Sequence, residues 1–253
     1  MELNRHDIAS FDGVRLAVHT AGAGRPVMLL HGLFSNAHTN WVRFGAAERI
    51  VAAGWRLILP DLRGHGESEA PADPASWPED VLARDAEAVA ETLGLGPDLV
   101  LGGYSLGART TVRVLVRGRL QPRAAILSGM GLEGITGGEA RGAWFVRMIE
   151  GRGTWQRNTP EWIAESFMMA NVAQPDALVH LLRGQKSTPA DLLAGLQLPV
   201  AVVCGTDDRD NGSAEALAAA LARARLVAIP GNHMSAVTRP DFGTSLADAL
   251  AWL

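Results

Sequence analysis

The segment Gly103-Tyr104-Ser105-Leu106-Gly107 sets one serine between two glycines, after the apolar run Leu99–Leu101 and before a helical pattern. A tight strand-to-helix turn strains the serine backbone and brings neighbouring segments close, which favours glycine on both sides. Such a turn raises the hydroxyl into a cleft and aims helix N-terminal N–H groups at developing negative charge. A serine hydroxyl is a weak nucleophile until a base accepts its proton and a carboxylate orients that base. Of the seven histidines, His233 directly follows the last apolar run and precedes the final helical pattern. The acid belongs in the loop after the preceding apolar run, where Asp207, Asp208 and Asp210 stand. Asp208 is favoured, because the chain needs the turn at Gly205-Thr206 before a side chain can come back toward His233. Asp207 is its rival, and Asp210 suits a position that caps or precedes a helix starting near Ser213. A calcium loop counted from Asp207 fails, with Arg209 at the third ligand position and no closing glutamate.

These residues need a scaffold that gathers loops at one edge. The spacing predicts buried strands at Val27–Leu30, Arg56–Leu59, Leu99–Leu101, Ala124–Leu127, Val200–Cys204 and Leu226–Ile229, each short, aliphatic and covered on both faces. Helical patterns lie between them at Asn40–Ala53, Glu79–Leu93, Leu106–Arg117, Ser213–Arg223 and Asp241–Trp252. This alternation predicts an α/β fold with a mostly parallel, doubly wound sheet, whose functional loops sit at the strands' carboxyl ends. Arg15–Thr20 alternates apolar and polar residues, as an antiparallel edge strand does. Residues 131–189 break the rhythm: there is no clear strand, and Trp144, Phe145, Met148, Trp155, Trp162, Phe167, Met168 and Met169 crowd together. The segment reads as a helical lid inserted into a core of residues 1–130 and 190–253, in preference to a pair of amphipathic core helices.

Composition narrows the classes. With 253 residues, 47% of them hydrophobic, one substantial core is expected. A net charge of −4 and scattered arginines give no general attraction to nucleic acid or to an anionic membrane. Cys204 is the only cysteine, so a disulfide within the chain and a cysteine metal cluster are both excluded. The first residues lack a signal-peptide pattern, no apolar stretch approaches the roughly 20 residues of a membrane span, and the cytoplasm is the default compartment. No H-E-x-x-H, phosphate-binding loop or dinucleotide fingerprint stands in proper context, so no metal or organic cofactor is expected.

Besides the serine turn, the chain carries LLHGLFS (Leu29–Ser35), PDLRGHGES (Pro60–Ser68), a G-x-x-D segment (Gly205 to Asp208) and a late Gly231-Asn232-His233. With these motifs it resembles the α/β-hydrolase superfamily, in the branch of bacterial esterases, lactonases and carbon–carbon bond hydrolases with a small helical cap. The order Ser105, Asp208, His233 is the one found in that fold, and the G-x-x-D pattern again favours Asp208. The resemblance implies that the backbone N–H groups of Leu33 and Leu106 form an oxyanion hole and that Phe34 faces the acyl pocket. Trp144, Met148 and Trp162 are the lid's candidate pocket residues. His31, Asp61, Arg63 and His65 would hold loops, and Arg109 and the lid arginines would lie on the surface. Serine at the elbow argues against the aspartate-based chemistry of haloalkane dehalogenases and epoxide hydrolases. The expected reaction is hydrolysis of a small to medium apolar ester or lactone through an acyl-enzyme. The alternative is carbon–carbon hydrolysis of a β-diketone or ring-cleavage product, and a non-catalytic receptor ranks lower. The expected partner is a small molecule, with monomer and homodimer both open.

Overall fold

A computed structural model describes residues 1–253. Its eight strands are β1 (Asn4–Ala9), β2 (Arg15–Ala21), β3 (Arg25–Leu30), β4 (Trp55–Pro60), β5 (Val100–Tyr104), β6 (Ala124–Ser128), β7 (Val200–Gly205) and β8 (Ala224–Ile229). They form one sheet in the order β1-β2-β4-β3-β5-β6-β7-β8. β1 and β2 run antiparallel to their neighbours, and the other pairings are parallel. From β3 the chain steps outward to β4 and then returns across β3 to β5, so the winding direction reverses between β3 and β5. In such sheets the crevice at the carboxyl ends of the strands flanking the reversal is the natural ligand site.

The helices are α1 (Ala46–Ala52), α2 (Val81–Thr92), α3 (Leu106–Arg117), α4 (Leu132–Thr136), α5 (Gly138–Glu150), α6 (Pro160–Asn171), α7 (Pro175–Arg183), α8 (Ala190–Ala194), α9 (Ala214–Ala220) and α10 (Pro240–Trp252). Strand side chains alternate between the two faces of the sheet. Val27 and Leu29 of β3 join the cluster under α1 and α10, while Met28 and Leu30 join the cluster under α2. Both faces are therefore covered, which is why the central strands read as unbroken aliphatic runs. β8 departs from this expectation. It closes one edge of the sheet, and Arg225 and Ala228 are exposed.

Two other expectations change. The helical pattern Asn40–Ala53 is two pieces, a wide turn at His38–Val42 and α1, separated by Gly45 at φ 82°. The pattern ending at Arg223 stops at Ala220, because Leu221 is extended on the way into β8. β1 left no sequence signal, since only Ile8 of its six residues is buried. Between β6 and β7 the chain forms α4 to α8 and no strand. α5 crosses α7 at Gly142, where a Cβ would collide with the Leu182 carbonyl. Val146, Ile149, Met168 and Leu178 of this helical segment share a core cluster with α2.

Candidate active site

The turn after β5 is tight for an identifiable reason. Ser105 sits at φ 53° and ψ −110°, a region costly for any residue with a Cβ. A Cβ on Gly107 would collide with the Leu30 carbonyl of β3, and one on Gly103 with the backbone of Gly107. The flanking glycines are thus required by contact between α3, β3 and the turn. The Ser105 N–H donates to the Ser128 carbonyl at 2.9 Å, and its own carbonyl accepts from Arg109 N–H at 3.0 Å. The strained residue is held from both sides.

The loops after β7 and β8 deliver the partners. His233 Nε2 lies 3.1 Å from Ser105 Oγ, and His233 Nδ1 lies 2.8 Å from Asp208 Oδ2. The second oxygen of Asp208 accepts the Asp210 N–H at 3.1 Å. Burial opposes ionisation of Asp208, but the His233 hydrogen bond and charge, with the Asp210 N–H and the Cys204 thiol, hold its carboxyl below the ordinary value. Cys204 is pushed up to about 12 by burial and by the Asp208 charge. Asp207 is exposed and turned away, although its N–H donates to the Gly231 carbonyl at 3.0 Å. Asp210 precedes α9 without capping it. Ser213 is the cap, accepting the Ala216 N–H at 3.0 Å, while Asp210 lies in the cavity wall.

Tyr104 and Asn232 fix the histidine loop. The Tyr104 hydroxyl donates to the His233 carbonyl at 2.5 Å, and Asn232 Oδ1 accepts the N–H groups of Met234 and Ser235. The loop after β3 is fixed by Asn40, whose Oδ1 accepts the Gly32 N–H at 2.9 Å and whose Nδ2 is buried without a partner. Leu33 and Leu106 both line the space beside Ser105. Leu106 opens α3, where a helix leaves its N–H without an intrahelical acceptor. His31 Nδ1 donates to the Gly32 carbonyl at 2.8 Å and its Nε2 accepts the Leu62 N–H at 2.9 Å. Asp61 accepts the N–H groups of Ala37 and Glu67, and Arg63 pairs with Asp12 and Asp85. His65 packs edge-on against His31. These four residues brace loops.

Ser105 and His233 open into a cavity of 640 Å³. Phe34 lines it at φ 59°, edge-on to Phe145 of α5, which in turn meets Trp144 at 4.8 Å. Two of the proposed lid contacts fall elsewhere. Met148 is fully buried in the cluster of Val146, Ile149 and Met168, because one turn beyond Trp144 helix α5 has left the cavity. Trp162 lies off the α6 stripe that reaches the cavity, Pro160, Ile163, Ala164 and Phe167, and carries Arg157 over its ring instead. Arg109 and Arg141 contradict the surface expectation, since both line the cavity. Asn40 has no motif to mark its role, whereas Phe167 stands among the aromatic residues that crowd residues 131–189 and Arg109 stands four places after the serine.

Fold and site together define a hydrolase scaffold with a serine, histidine and aspartate in hydrogen-bonded line. The chain belongs to the alpha/beta hydrolase family, whose model matches residues 27–242. It is similar to a 2-hydroxymuconate semialdehyde hydrolase of Pseudomonas sp. (strain CF600), 34% identical over 51% of this chain and 44% of that protein. It is also similar to an epoxide hydrolase of Caballeronia sordidicola, 30% identical over 69% of this chain and 47% of that protein. The match thus spans less than half the length of either relative. Among solved structures, a thermophilic esterase from Thermogutta terrifontis superposes with a TM-score of 0.74 at 24% identity, covering 98% of both chains.

Proposed function

We propose that the chain is a serine hydrolase that cleaves a carboxylic ester or lactone of small to medium size through an acyl-enzyme. The observation that carries this reading is the continuous line Asp208–His233–Ser105, at 2.8 and 3.1 Å, opening into a mostly apolar cavity. Ser105 Oγ attacks the carbonyl carbon as His233 Nε2 takes its proton. Asp208 holds the imidazole with Nδ1 protonated and stabilises the imidazolium. The N–H groups of Leu33 and Leu106 receive the oxyanion, so the negative charge develops against fixed dipoles. His233 then gives its proton to the leaving alcohol, and water attacks the acyl-serine with His233 as base. Residues 131–189 act as a lid, with Trp144 and Phe145 of α5 and the α6 stripe lining the pocket. Burial of apolar substrate surface there contributes about 25 cal/mol per Å².

The second reading, carbon–carbon hydrolysis, needs the same three residues and draws support from the name of the Pseudomonas relative. A hydrolysis screen of esters, lactones and β-diketones on wild type and Ser105→Ala tests both. Ester or lactone turnover lost in folded Ser105→Ala supports the first reading, and a β-diketone as best substrate selects the second. Unchanged turnover in Ser105→Ala overturns both.

A further inference from the structure

Four residues other than glycine hold a positive φ: Phe34, Asp80, Ser105 and Asn158. Aspartate and asparagine tolerate that region, and the elbow explains Ser105, whereas for a bulky aromatic the conformation is costly. Phe34 adopts it at φ 59° in the loop that carries Leu33, with 2% of its surface exposed. The Ser35 N–H donates to the Gly32 carbonyl at 3.2 Å, closing a four-residue turn with Phe34 in third place. A positive φ at that place separates the two common turns of this length, which differ by rotation of the peptide between the second and third residues. In this loop it is the peptide from Leu33 to Phe34. His31 Nδ1 donates to the same Gly32 carbonyl at 2.8 Å. In a planar trans peptide the N–H points away from the C=O, so the two bonds to the Gly32 carbonyl set the direction of the Leu33 N–H. The loop lies against the nucleophile, since a Cβ on Gly32 would stand 3.6 Å from the Ser105 Cβ.

Phe34 has no polar side-chain atom, so packing is what its side chain contributes against the backbone strain. Its ring meets Phe145 of α5 edge-on, with centroids 5.5 Å apart and planes at 82°, and Phe145 is held edge-on by Trp144 in turn. Phe145 is half-buried against the core cluster that contains Phe34. An edge-to-face pair of this kind is favourable beyond the area it buries. We infer that Phe145 is a positioning residue: by seating Phe34 it keeps the turn in its strained form and the Leu33 N–H aimed beside Ser105. The first oxyanion donor is therefore complete while α5 is packed on the loop. Leu106 needs no such support, because its N–H is fixed at the start of α3. This inference rests on the reading of Ser105 as nucleophile and of Leu33 as an oxyanion donor.

A double-mutant cycle tests the coupling. kcat and KM for p-nitrophenyl butyrate are measured in wild type, Phe145→Ala, Phe34→Gly and the double variant, with Phe34→Asn in place of Phe34→Gly should the latter fail to fold. A residue that only lines the pocket changes KM, whereas a donor that loses its aim changes kcat. With Phe34 present, Phe145→Ala should lower kcat about 10-fold. Glycine adopts positive φ about as readily as negative, so in the Phe34→Gly background the same change should alter kcat by less than about 2-fold. Amide hydrogen exchange of residues 31–36, followed by mass spectrometry, should likewise quicken in Phe145→Ala and stay unchanged when Phe145→Ala is added to Phe34→Gly. A rise in KM alone, or an equal fall in kcat in both backgrounds, would overturn the coupling, while turnover lost in Ser105→Ala would still support the nucleophile reading. Turnover retained in Ser105→Ala would overturn that reading and the positioning role with it, whatever the exchange rates.

Discussion

Replacing Asp208 by asparagine makes a nearly isosteric change whose effect depends on one proton. Asp208 uses one oxygen to accept the Asp210 N–H at 3.1 Å and the other to face His233 Nδ1 at 2.8 Å. An asparagine keeps the first bond by leaving its carbonyl oxygen there, which turns its NH2 toward Nδ1. Nδ1 must then be an acceptor, the proton moves to Nε2, and Nε2 at 3.1 Å from Ser105 Oγ can no longer take the serine proton. A wrong tautomer of this kind lowers kcat about 10⁴-fold, equivalent to about 5.5 kcal/mol of barrier. Asp207 is exposed and contributes only its backbone N–H to the Gly231 carbonyl, so Asp207→Asn should stay within about 2-fold of wild type. Steady-state kinetics on the best ester from the screen, with circular dichroism to establish folding, compare the two. Full activity in Asp208→Asn, or loss in Asp207→Asn with Asp208→Asn intact, would exclude Asp208 as the residue that sets the His233 tautomer.

Acid should weaken the fold before it titrates the carboxylates. Burial, then the neighbouring charge of His31, lowers His65 to about 3, and burial also lowers His31, so below pH 6.5 the unfolded chain takes up protons that the folded one refuses. Stability present above pH 6.5 is therefore lost as pH falls toward 3, at about 1.4 kcal/mol per pH unit from His65 alone. His19 is raised by its hydrogen bond to Asp61, and its stabilisation is already complete below 6.5, so it does not cancel this slope. Urea midpoints at pH 7.5, 6.5 and 5.5 measure the loss, and a flat profile below 6.5 would contradict it. Gly107→Ala forces a Cβ onto the Leu30 carbonyl and should destabilise by about 3 kcal/mol, read as a Tm fall of about 10 °C. An unchanged Tm would show that the elbow is looser than described.

The parts of the molecule that were readable in advance are those where one local requirement dominates. Central strands buried on both faces, such as Val27–Leu30, carry unbroken apolar runs. α3 has the bounds its pattern indicated, because the serine turn fixes its start and Gly118 at φ 69° its end. The line of Ser105, Asp208 and His233 was legible because each residue follows a strand at the same sheet edge. What escaped depends on which face of a helix turns inward. Met148 and Trp162 have the same aromatic or thioether character as their neighbours, and only the tilt of α5 and the stripe of α6 decide that Trp144 and Phe167 meet the cavity instead. β1 and β8 lie at sheet edges, where burial imposes little pattern. Arg109 looked like a surface residue because charge is ordinarily solvated, and only the fold of α4 and α5 over it shows otherwise.

Everything proposed for this cavity requires Ser105 to be a nucleophile activated by His233. Reaction with a fluorophosphonate, followed by mass spectrometry of the intact chain and its peptides, tests this most directly. One adduct per chain is expected, located on Ser105, with a labelling rate at least about 10³-fold slower in His233→Ala. An adduct on any other residue, or labelling of Ser105 at an undiminished rate without His233, would contradict it.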